Sequence, residues 1–267
     1  MIKVRLFTVC LSAVLLSGIM SSCDKTGDSQ GFSVNQSVGS NGVVVDVDSI
    51  PIAPAEDFEY TVSDSKISIT GYIGDAAEVS IPSKIDNMQV VSILSSAFFA
   101  DEDLYAVIIP EGVTSIKDEV FYDCKSLAFV QLPTTLASMG DSVFANCTSL
   151  ESLVLPNRIN EIPNRCFYGC TSLNSVTMGS SVTKIGDYAF AMCDAIYGMT
   201  LSSSIESIGE FAFYDCADLN VMEFTGNTVF QKTTFLQSQS LTLYVKSSTV
   251  PHALAQEYGL AYKVKQE

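Results

Sequence analysis

The chain has 267 residues, of which 14 are basic and 30 acidic, giving a formal net charge of −16 at neutral pH. A surface this acidic repels phosphate backbones and anionic headgroups, so nucleic acid is not expected as a partner. Tryptophan is absent, which leaves tyrosine and phenylalanine as the rings on which a sugar could stack. Hydrophobic residues make up 47% of the chain, a share typical of globular domains with a buried core.

The N-terminus has the pattern of an export signal. Lys3 and Arg5 precede an apolar run over residues 6–16, and small residues follow up to position 22. The run is too short and wrongly flanked for a membrane-spanning helix, so residues 1–22 are predicted to be a signal peptide. Removing them takes away two basic residues and no acids, which leaves 12 basic and 30 acidic residues and a net charge of −18.

A cysteine stands directly after this segment. Residues 17–23, Ser-Gly-Ile-Met-Ser-Ser-Cys, resemble the lipobox of bacterial lipoproteins, with Met20 in place of the usual leucine. The resemblance implies lipidation of Cys23. It also implies an exported, membrane-anchored lipoprotein at the outer membrane or cell surface, held to the membrane only by its N-terminal lipid. The alternative is an ordinary secreted protein.

Two segments precede the regular part of the chain. Residues 23–57 are rich in Ser, Gly, Asn and Asp, a composition that predicts a flexible tether. Residues 58–69 alternate apolar and polar positions on both sides of Ser-Asp-Ser, the pattern of a β-hairpin with one buried face. We expect residues 58–97 to form an N-terminal cap and the first coil, because the first strand of a stacked-repeat protein must be covered.

Six phenylalanines then stand at a fixed interval of 23 residues, with no insertion between them. A constant period of this length is typical of solenoid proteins, in which each unit buries its apolar side only against its neighbours. The series, called the key phenylalanines below, consists of Phe98, Phe121, Phe144, Phe167, Phe190 and Phe213.

Other columns repeat with the same period. Cysteine stands three residues after the key phenylalanine in five units, and leucine or isoleucine stands six residues after it. Apolar residues nine and eleven positions after it have strand spacing and therefore point to one side of a short strand. A degenerate seventh unit surrounds Phe235 and Leu236, and Pro251 has the position of a residue at a helix start.

The repeated motif, A/V-F-x-x-C-x-x-L-x-x-V-x-L-P-x-x-V-x-x-I, resembles the BspA-like leucine-rich repeats of bacterial surface proteins. The resemblance extends over about residues 58–265. It implies a right-handed, β-rich leucine-rich-repeat solenoid with 23-residue repeats over residues 98–240, an N-terminal hairpin cap and a C-terminal strand-helix cap over residues 241–267. It also implies host proteins, matrix proteins or other bacteria as partners.

The cysteine column has two interpretations, because exported proteins with several cysteines often contain disulfides. A disulfide needs two Cβ atoms about 3.8 Å apart and turned toward each other, whereas equivalent cysteines on stacked coils point the same way. The pattern therefore favours a buried ladder of thiols. Zinc at Cys166 and Cys170 is the weaker alternative, since other ligands at short spacing are missing. The column consists of Cys124, Cys147, Cys170, Cys193 and Cys216.

No catalytic or cofactor site is predicted. His252, the single histidine, is expected to be an exposed residue of the capping helix rather than a catalytic base. The acidic residues 101–103 are expected to be solvated at a turn rather than to bind calcium. Gly140, Gly186 and Gly209 are interpreted as turn residues and not as a phosphate-binding loop.

The outward positions of the main strands supply the candidate binding site. The side chains of Tyr105, Ile108, Phe129 and Val154 would form an exposed apolar patch over three coils, which is typical of a contact surface. The alternative is that the N-terminal segment folds back over this patch. We therefore predict a noncatalytic protein for protein recognition or adhesion. Glycan capture, hydrolysis and a structural assembly role are the alternatives.

Overall fold

The structure is a computed structural model that describes residues 36–38 and 44–265, with side chains described from Asp46 onward. The predicted signal peptide, Cys23 and most of the predicted tether lie outside the described residues. A short antiparallel pair joins β1 (Gln36–Val38) to β2 (Val44–Asp46). Two single 3₁₀ turns follow, at Val47–Ser49 and Ala55–Asp57.

The predicted hairpin is confirmed. Strands β3 (Phe58–Ser63) and β4 (Lys66–Tyr72) pair in antiparallel register. Asp64 and Ser65 connect them with φ of 50° and 57°, as the two-residue turns that match strand twist require. Phe58, Ile67 and Ile69 are buried on the inner face of this hairpin.

Each of the six repeats contributes one strand that begins eight residues after its key phenylalanine. These strands pair in parallel in three consecutive hydrogen-bonded groups, which together we call the front sheet. Side chains of the middle residues point inward, because successive residues of a strand face opposite sides. The front sheet consists of β5 (Glu78–Ser80), β8 (Ala106–Ile108), β10 (Phe129–Gln131), β12 (Ser152–Val154), β14 (Ser175–Thr177), β16 (Gly198–Leu201), β18 (Val221–Phe224), β19 (Thr242–Lys246) and β20 (Tyr262–Lys265).

A shorter strand in each of the first five repeats builds a second face, which we call the side sheet. Its strands pair in parallel within two hydrogen-bonded groups, one that includes the first two repeats and one formed by the third to fifth, and the hairpin joins the first group through β4. The side sheet consists of β3, β4, β6 (Lys84–Ile85), β7 (Met88–Ile93), β9 (Ser115–Ile116), β11 (Ser138–Met139), β13 (Glu161–Ile162), β15 (Lys184–Ile185) and β17 (Ser207–Ile208).

The key phenylalanines stack in one column inside the coils, as the period predicts. Centroids of neighbouring rings lie 5.1 to 5.8 Å apart. Tyr72 extends the column at one end, 5.1 Å from Phe98, and Phe235 extends it at the other, 5.7 Å from Phe213. Each ring pair contributes about 0.5–1.5 kcal/mol beyond its buried area, so the column both fills the core and fixes the register of the coils.

The cysteine column lies beside the phenylalanine column, and the predicted ladder of buried thiols is confirmed. All six described cysteines are free and buried. In each of the five columnar residues the thiol donates a hydrogen bond to the carbonyl oxygen of the key phenylalanine in the preceding repeat, at 3.0 to 3.1 Å. The thiols therefore bridge successive coils.

A column of Asp and Asn side chains connects the coils on the outside. Each accepts a hydrogen bond from the backbone N–H of the equivalent residue in the next repeat, at 2.8 to 3.0 Å, and each stands twenty residues after its key phenylalanine. We call these residues the Asx column: Asp118, Asp141, Asn164 and Asp187.

The predicted turn role of Gly140, Gly186 and Gly209 is wrong. None of the three is among the residues of positive φ; instead, each packs against the preceding coil at the Asx column. A Cβ on Gly186 would lie 2.7 Å from the backbone nitrogen of Asn164. Glycine is present at these positions because the coils approach closely there, not because the chain turns.

The C-terminal strand and helix are also present as predicted. After β19 the chain forms α1 (Val250–Tyr258), with Pro251 in its first turn. Gly259 ends the helix in the left-handed conformation, with φ of 69°, as is usual for glycine at this position. Strand β20 then returns the chain to the edge of the front sheet.

Residues 50–57, within the range expected to be a tether, are part of the folded domain. Ile52 forms a parallel bridge with Ser80, and the N–H of Ala53 donates to the carbonyl of Ser80 at 2.9 Å. Ile50 and Ala53 are buried. These apolar side chains outweigh the polar composition of the surrounding segment, and Pro51 is compatible with an edge position in a sheet.

Candidate binding surface on the front sheet

The front sheet presents its outward side chains in rows, because its strands pair in parallel without a register shift within each hydrogen-bonded group, and the 23-residue period continues from one group to the next. One row runs through the residues ten positions after each key phenylalanine and continues beyond them at both ends. We call this the outer row: Ile52, Ser80, Ile108, Gln131, Val154, Thr177, Thr200, Glu223 and Tyr244.

Ile108, Phe129 and Val154 occupy outward positions of three successive strands and Tyr105 directly precedes the first of these strands, but the four side chains are unequally exposed. Val154 is 67% exposed, whereas Tyr105, Ile108 and Phe129 are half-buried. The prediction of a fully exposed patch is therefore too simple. The register places Phe129 beside Ala106, which is fully buried although it occupies an outward position, so part of the apolar surface is used within the sheet.

Ile52 is a member of this surface that sequence reasoning missed. Its side chain is 71% exposed, and its bridge with Ser80 places it at the head of the outer row. The position was hidden because Ile52 lies in the segment interpreted as tether. The run Ile-Pro-Ile-Ala at residues 50–53, apolar within a polar segment, is the signal that could have revealed it.

Residues 50–53 of the N-terminal segment do not cover the patch. Residues 50–53 lie beside β5 and extend the front sheet at its edge. Ile52 and Val154, at the two ends of the apolar part of the outer row, both remain largely exposed. Residues 50–53 thus extend the edge of the sheet and do not fold back over its face.

A shallow depression lies farther along the same face, in the repeats that carry β14, β16 and β18. It has a volume of about 390 Å³ and is lined by uncharged groups, among them Tyr197, Thr200 and Val221. Gly198 forms its floor, where a Cβ would lie 3.0 Å from the carbonyl oxygen of Val221. The ring of Tyr197 is 65% exposed and forms none of the ring pairs found among the described residues.

Other aromatic side chains on the surface are already stacked on each other. Tyr188 and Phe211 lie with ring centroids 4.9 Å apart, and the guanidinium of Arg165 lies 5.4 Å from the centroid of Tyr188. Phe99 and Tyr122 stack at 5.2 Å. In each pair a ring of the neighbouring coil covers one face, so less aromatic surface is left for a ligand than at Tyr197.

Burial makes the thiols unsuited to nucleophilic chemistry. It raises the pKa of Cys124, Cys170 and Cys216 to about 12, and burial also raises the pKa of Cys147, Cys166 and Cys193 well above the ordinary value. The thiolate is the reactive form of cysteine, so these residues stay protonated at neutral pH.

The remaining candidate residues have structural partners. The carboxylate of Asp101 accepts hydrogen bonds from the N–H groups of Asp103 and Leu104, at 3.1 and 3.0 Å, and so caps a turn. His252 is half-buried rather than exposed, since its Nδ1 accepts a hydrogen bond from the N–H of Ser248 and its ring lies 5.1 Å from that of Tyr262. Among residues 46–265 no group of three or more His, Cys, Asp or Glu side chains is arranged to hold a metal ion.

The family profile described as "BspA type Leucine rich repeat region" matches the chain in six copies, over residues 91–220 and 137–252. These matches extend over more than half of the sequence. The chain belongs to the BspA type leucine-rich repeat family. A comparison with curated proteins gives no match.

Solved structures of leucine-rich repeat proteins are similar to this BspA type solenoid. A leucine-rich repeat protein of T. pallidum is 23% identical, with 81% of this chain and 100% of that chain covered and a TM-score of 0.53. A leucine-rich cell surface protein of Faecalibacterium prausnitzii is 16% identical, with 80% and 95% covered and a TM-score of 0.43. A leucine-rich repeat protein of Bacteroides ovatus is 18% identical, with 72% and 70% covered and a TM-score of 0.37. The first of these shows a shared fold.

In the residues for which helices are described, none has the length and apolar character to cross a bilayer.

Proposed function

We propose that the chain is a noncatalytic, exported lipoprotein that binds a protein partner through the front sheet at the outer membrane or cell surface. The observation that carries this proposal is the apolar first half of the outer row. Ile52, Ile108 and Val154 alternate there with Ser80 and Gln131, so large aliphatic side chains recur on every second strand. With strands about 4.8 Å apart, this half spans about 19 Å.

Exposed apolar side chains in a line are costly unless a partner covers them. Ile52 and Val154 expose 71% and 67% of their surface, and each would contribute about 1.5–3 kcal/mol of transfer free energy if a partner buried it fully. The polar residues between them supply hydrogen-bonding groups. A mixture of aliphatic anchors and polar neighbours is typical of protein interfaces.

Binding is tested by a pull-down from the native environment with the full chain and two variants. Ile52→Ser combined with Val154→Ser should abolish capture of any partner that uses the outer row. Because both side chains are largely exposed, thermal unfolding should stay nearly unchanged. Leu236→Ser is the matched control, since Leu236 is 46% exposed and lies outside the front sheet. An unchanged set of captured proteins in the double variant would reject the proposal.

Anchoring is tested separately at Cys23. We expect the wild-type chain in the membrane fraction and the Cys23→Ser variant in the soluble exported fraction, because one lipidated cysteine supplies the proposed membrane attachment. Recovery of both in the soluble fraction would support ordinary secretion instead.

Glycan binding is the second candidate, and the depression beside Tyr197 favours it. An exposed ring with free faces next to the hydroxyl of Thr200 offers both the stacking surface and the neutral hydrogen-bonding groups that a sugar requires. An oligosaccharide array should show binding that is lost in Tyr197→Ala if this candidate is right. No binding on the array would reject this candidate.

A further inference from the structure

We propose that the C-terminal end of the front sheet is a second binding site, which accepts an acidic, extended peptide as an additional strand beside β20. This site lies outside the apolar part of the outer row and requires no particular partner there. Its test with synthetic peptides can therefore fail or succeed independently of the proposed function.

The last two strands carry a cluster of positive charge, which we call the lysine patch: Tyr244, Lys246, Lys263 and Lys265. Their register pairs Tyr244 with Lys263 and Lys246 with Lys265, so all four side chains lie on the outward face. The ammonium groups of Lys263 and Lys265 lie 5.6 and 5.9 Å from the ring centroid of Tyr244. Cations at this distance are attracted to an aromatic ring, which holds both lysines over the sheet.

The positive charge of the lysine patch is only partly neutralised. Lys265 forms an ion pair with Glu223 at 2.6 Å. Lys246 and Lys263 have no carboxylate within ion-pair distance among residues 46–265. Like charges on neighbouring strands destabilise a sheet, so an acidic ligand would relieve a repulsion that the free protein retains.

Positive charge is uncommon in this acidic chain. Between residues 46 and 80, at the other end of the folded part, eight acidic residues accompany one basic residue, Lys66. The chain as a whole carries a net charge of −16. The lysine patch is therefore a local reversal of charge, and its complement is an anionic ligand.

The backbone beside the lysine patch has the geometry for strand addition. β20 pairs only with β19 among the described strands. The N–H of Leu243 donates to the carbonyl of Ala261 at 2.9 Å. In a parallel pair alternate residues direct their backbone groups to the neighbour, so Tyr262 and Val264 direct theirs away from β19. An incoming strand can pair with these groups, as in other cases of β-augmentation.

Side-chain alternation defines the peptide that fits. Carboxylates at every second position of the added strand would lie on the same face as Lys263 and Lys265. Lysines on an edge strand also repel neutral or basic strands and so suppress nonspecific pairing. Selectivity for an acidic strand distinguishes a binding site from simple protection of the edge.

The experiment measures binding of a short peptide in which Glu and Thr alternate, about six residues long, the usual length of a strand. The full chain is titrated at low salt by fluorescence anisotropy, and a peptide with Gln in place of Glu is the neutral control. We expect binding of the acidic peptide only. Lys263→Gln with Lys265→Gln should weaken it by about tenfold, as expected from the loss of two exposed charge contacts. Lys66→Gln with Lys84→Gln, exposed lysines far along the chain, should leave it unchanged.

Hydrogen exchange then identifies the binding mode. The amides of Tyr262 and Val264 should become protected when the acidic peptide binds. Equal binding of the neutral peptide, equal binding in the Lys263 and Lys265 double variant, or binding without protection of these amides would each overturn the proposal. Binding of anionic lipid vesicles through the same lysines, without binding of the peptide, would assign the patch to a membrane instead and overturn it as well.

Discussion

The hydroxyl of Ser238 donates a hydrogen bond to the carbonyl oxygen of Phe213, at 2.7 Å. Ser238 stands three residues after Phe235 in the shortened seventh unit, where the earlier repeats have cysteine. Cys216 makes the same bond one coil earlier, to Phe190 at 3.1 Å. The position therefore requires a small hydrogen-bond donor, and the chemistry of sulfur is secondary.

This equivalence predicts how serine and alanine should behave at Cys170. Cys170→Ser keeps a donor for the carbonyl of Phe144, whereas Cys170→Ala removes it. We expect the serine variant to be more stable than the alanine variant by about 1 kcal/mol, the usual net value of one hydrogen bond. Urea unfolding of the two variants measures this difference.

Cys166 supplies the matched control, because its buried thiol makes no hydrogen bond among the described residues. At this position the alanine variant should be more stable than the serine variant. Cys166→Ser would bury a hydroxyl without a partner, which costs about 1–3 kcal/mol, and alanine already stands at the equivalent position before Phe190 and Phe213. If serine is preferred to alanine at both sites, the hydrogen-bond explanation of the column is wrong.

Stability should fall in alkaline solution because of the same thiols. Burial raises the pKa of Cys170 from 9.0 to about 12, so the folded state holds its proton where the unfolded state loses it. This contribution is complete below pH 9 and is lost as the pH rises toward 12. Within that window each such thiol lowers the free energy of unfolding by about 1.4 kcal/mol for every unit of pH increase.

The free energy of unfolding, measured in urea across this pH range, checks the alkaline effect. Lysine and tyrosine also titrate there, so the informative quantity is the difference between wild type and Cys170→Ser. The variant should lose stability less steeply with pH. Parallel curves would mean that Cys170 does not contribute.

The Asx column predicts a difference between removing a side chain and removing its charge. Asp141 accepts hydrogen bonds from the backbone N–H and the side-chain amide of Asn164, at 3.0 and 3.2 Å. Asp141→Ala should therefore cost about 1 kcal/mol. Asp141→Asn keeps the acceptor for the backbone N–H, as Asn164 itself does toward Asp187. It loses the acceptor for the exposed side-chain amide of Asn164 and removes a carboxylate in line with Asp118.

We expect Asp141→Asn to be at least as stable as wild type at low salt and to depend less on salt, because repulsion between the stacked carboxylates is screened by ions. Denaturation at low and high salt concentration measures both effects. A loss of stability in Asp141→Asn as large as that in Asp141→Ala would show that the charge itself is needed.

Removing a ring from the middle of the phenylalanine column should destabilise the fold far more than removing a ring from the surface. Phe144 is fully buried between the rings of Phe121 and Phe167, so Phe144→Ala should cost about 3–5 kcal/mol. Phe99 is 49% exposed and stacks only on Tyr122. Phe99→Ala should cost no more than about 1 kcal/mol. Thermal unfolding of the two variants compares them, and similar losses would contradict the separation into core and surface rings.

The repeat itself could be predicted from the sequence because its cause is local and periodic. A constant spacing of phenylalanine, cysteine and leucine leaves one way to bury them all, which is to stack identical coils. The hairpin and the final helix could be predicted for the same reason, because their signals are local. These signals are the alternation of apolar and polar residues at residues 58–69 and the proline at position 251. The buried state of the cysteines followed from their common direction on stacked coils.

Features that depend on how closely two coils approach each other could not be predicted from the sequence. The close contact at Gly186 depends on a neighbour 22 positions earlier, Asn164, so the glycine was interpreted as a turn. Ile52 was assigned to the tether because composition does not reveal a bridge to Ser80. The partial burial of Phe129 depends on Ala106 in the adjacent strand, which pattern alone does not weigh.

Successive coils are joined by bonds between residues one period apart, from the Asx column to the parallel strands of the front sheet. Excision of a single period, such as residues 144–166, would therefore bring equivalent partners together again: Phe121 would meet Phe167, and Asp141 would meet Asp187. A gene for such a chain can lengthen or shorten by whole units while its two ends keep their surroundings. The length of the front sheet can thus evolve by recombination alone, without any new side chain.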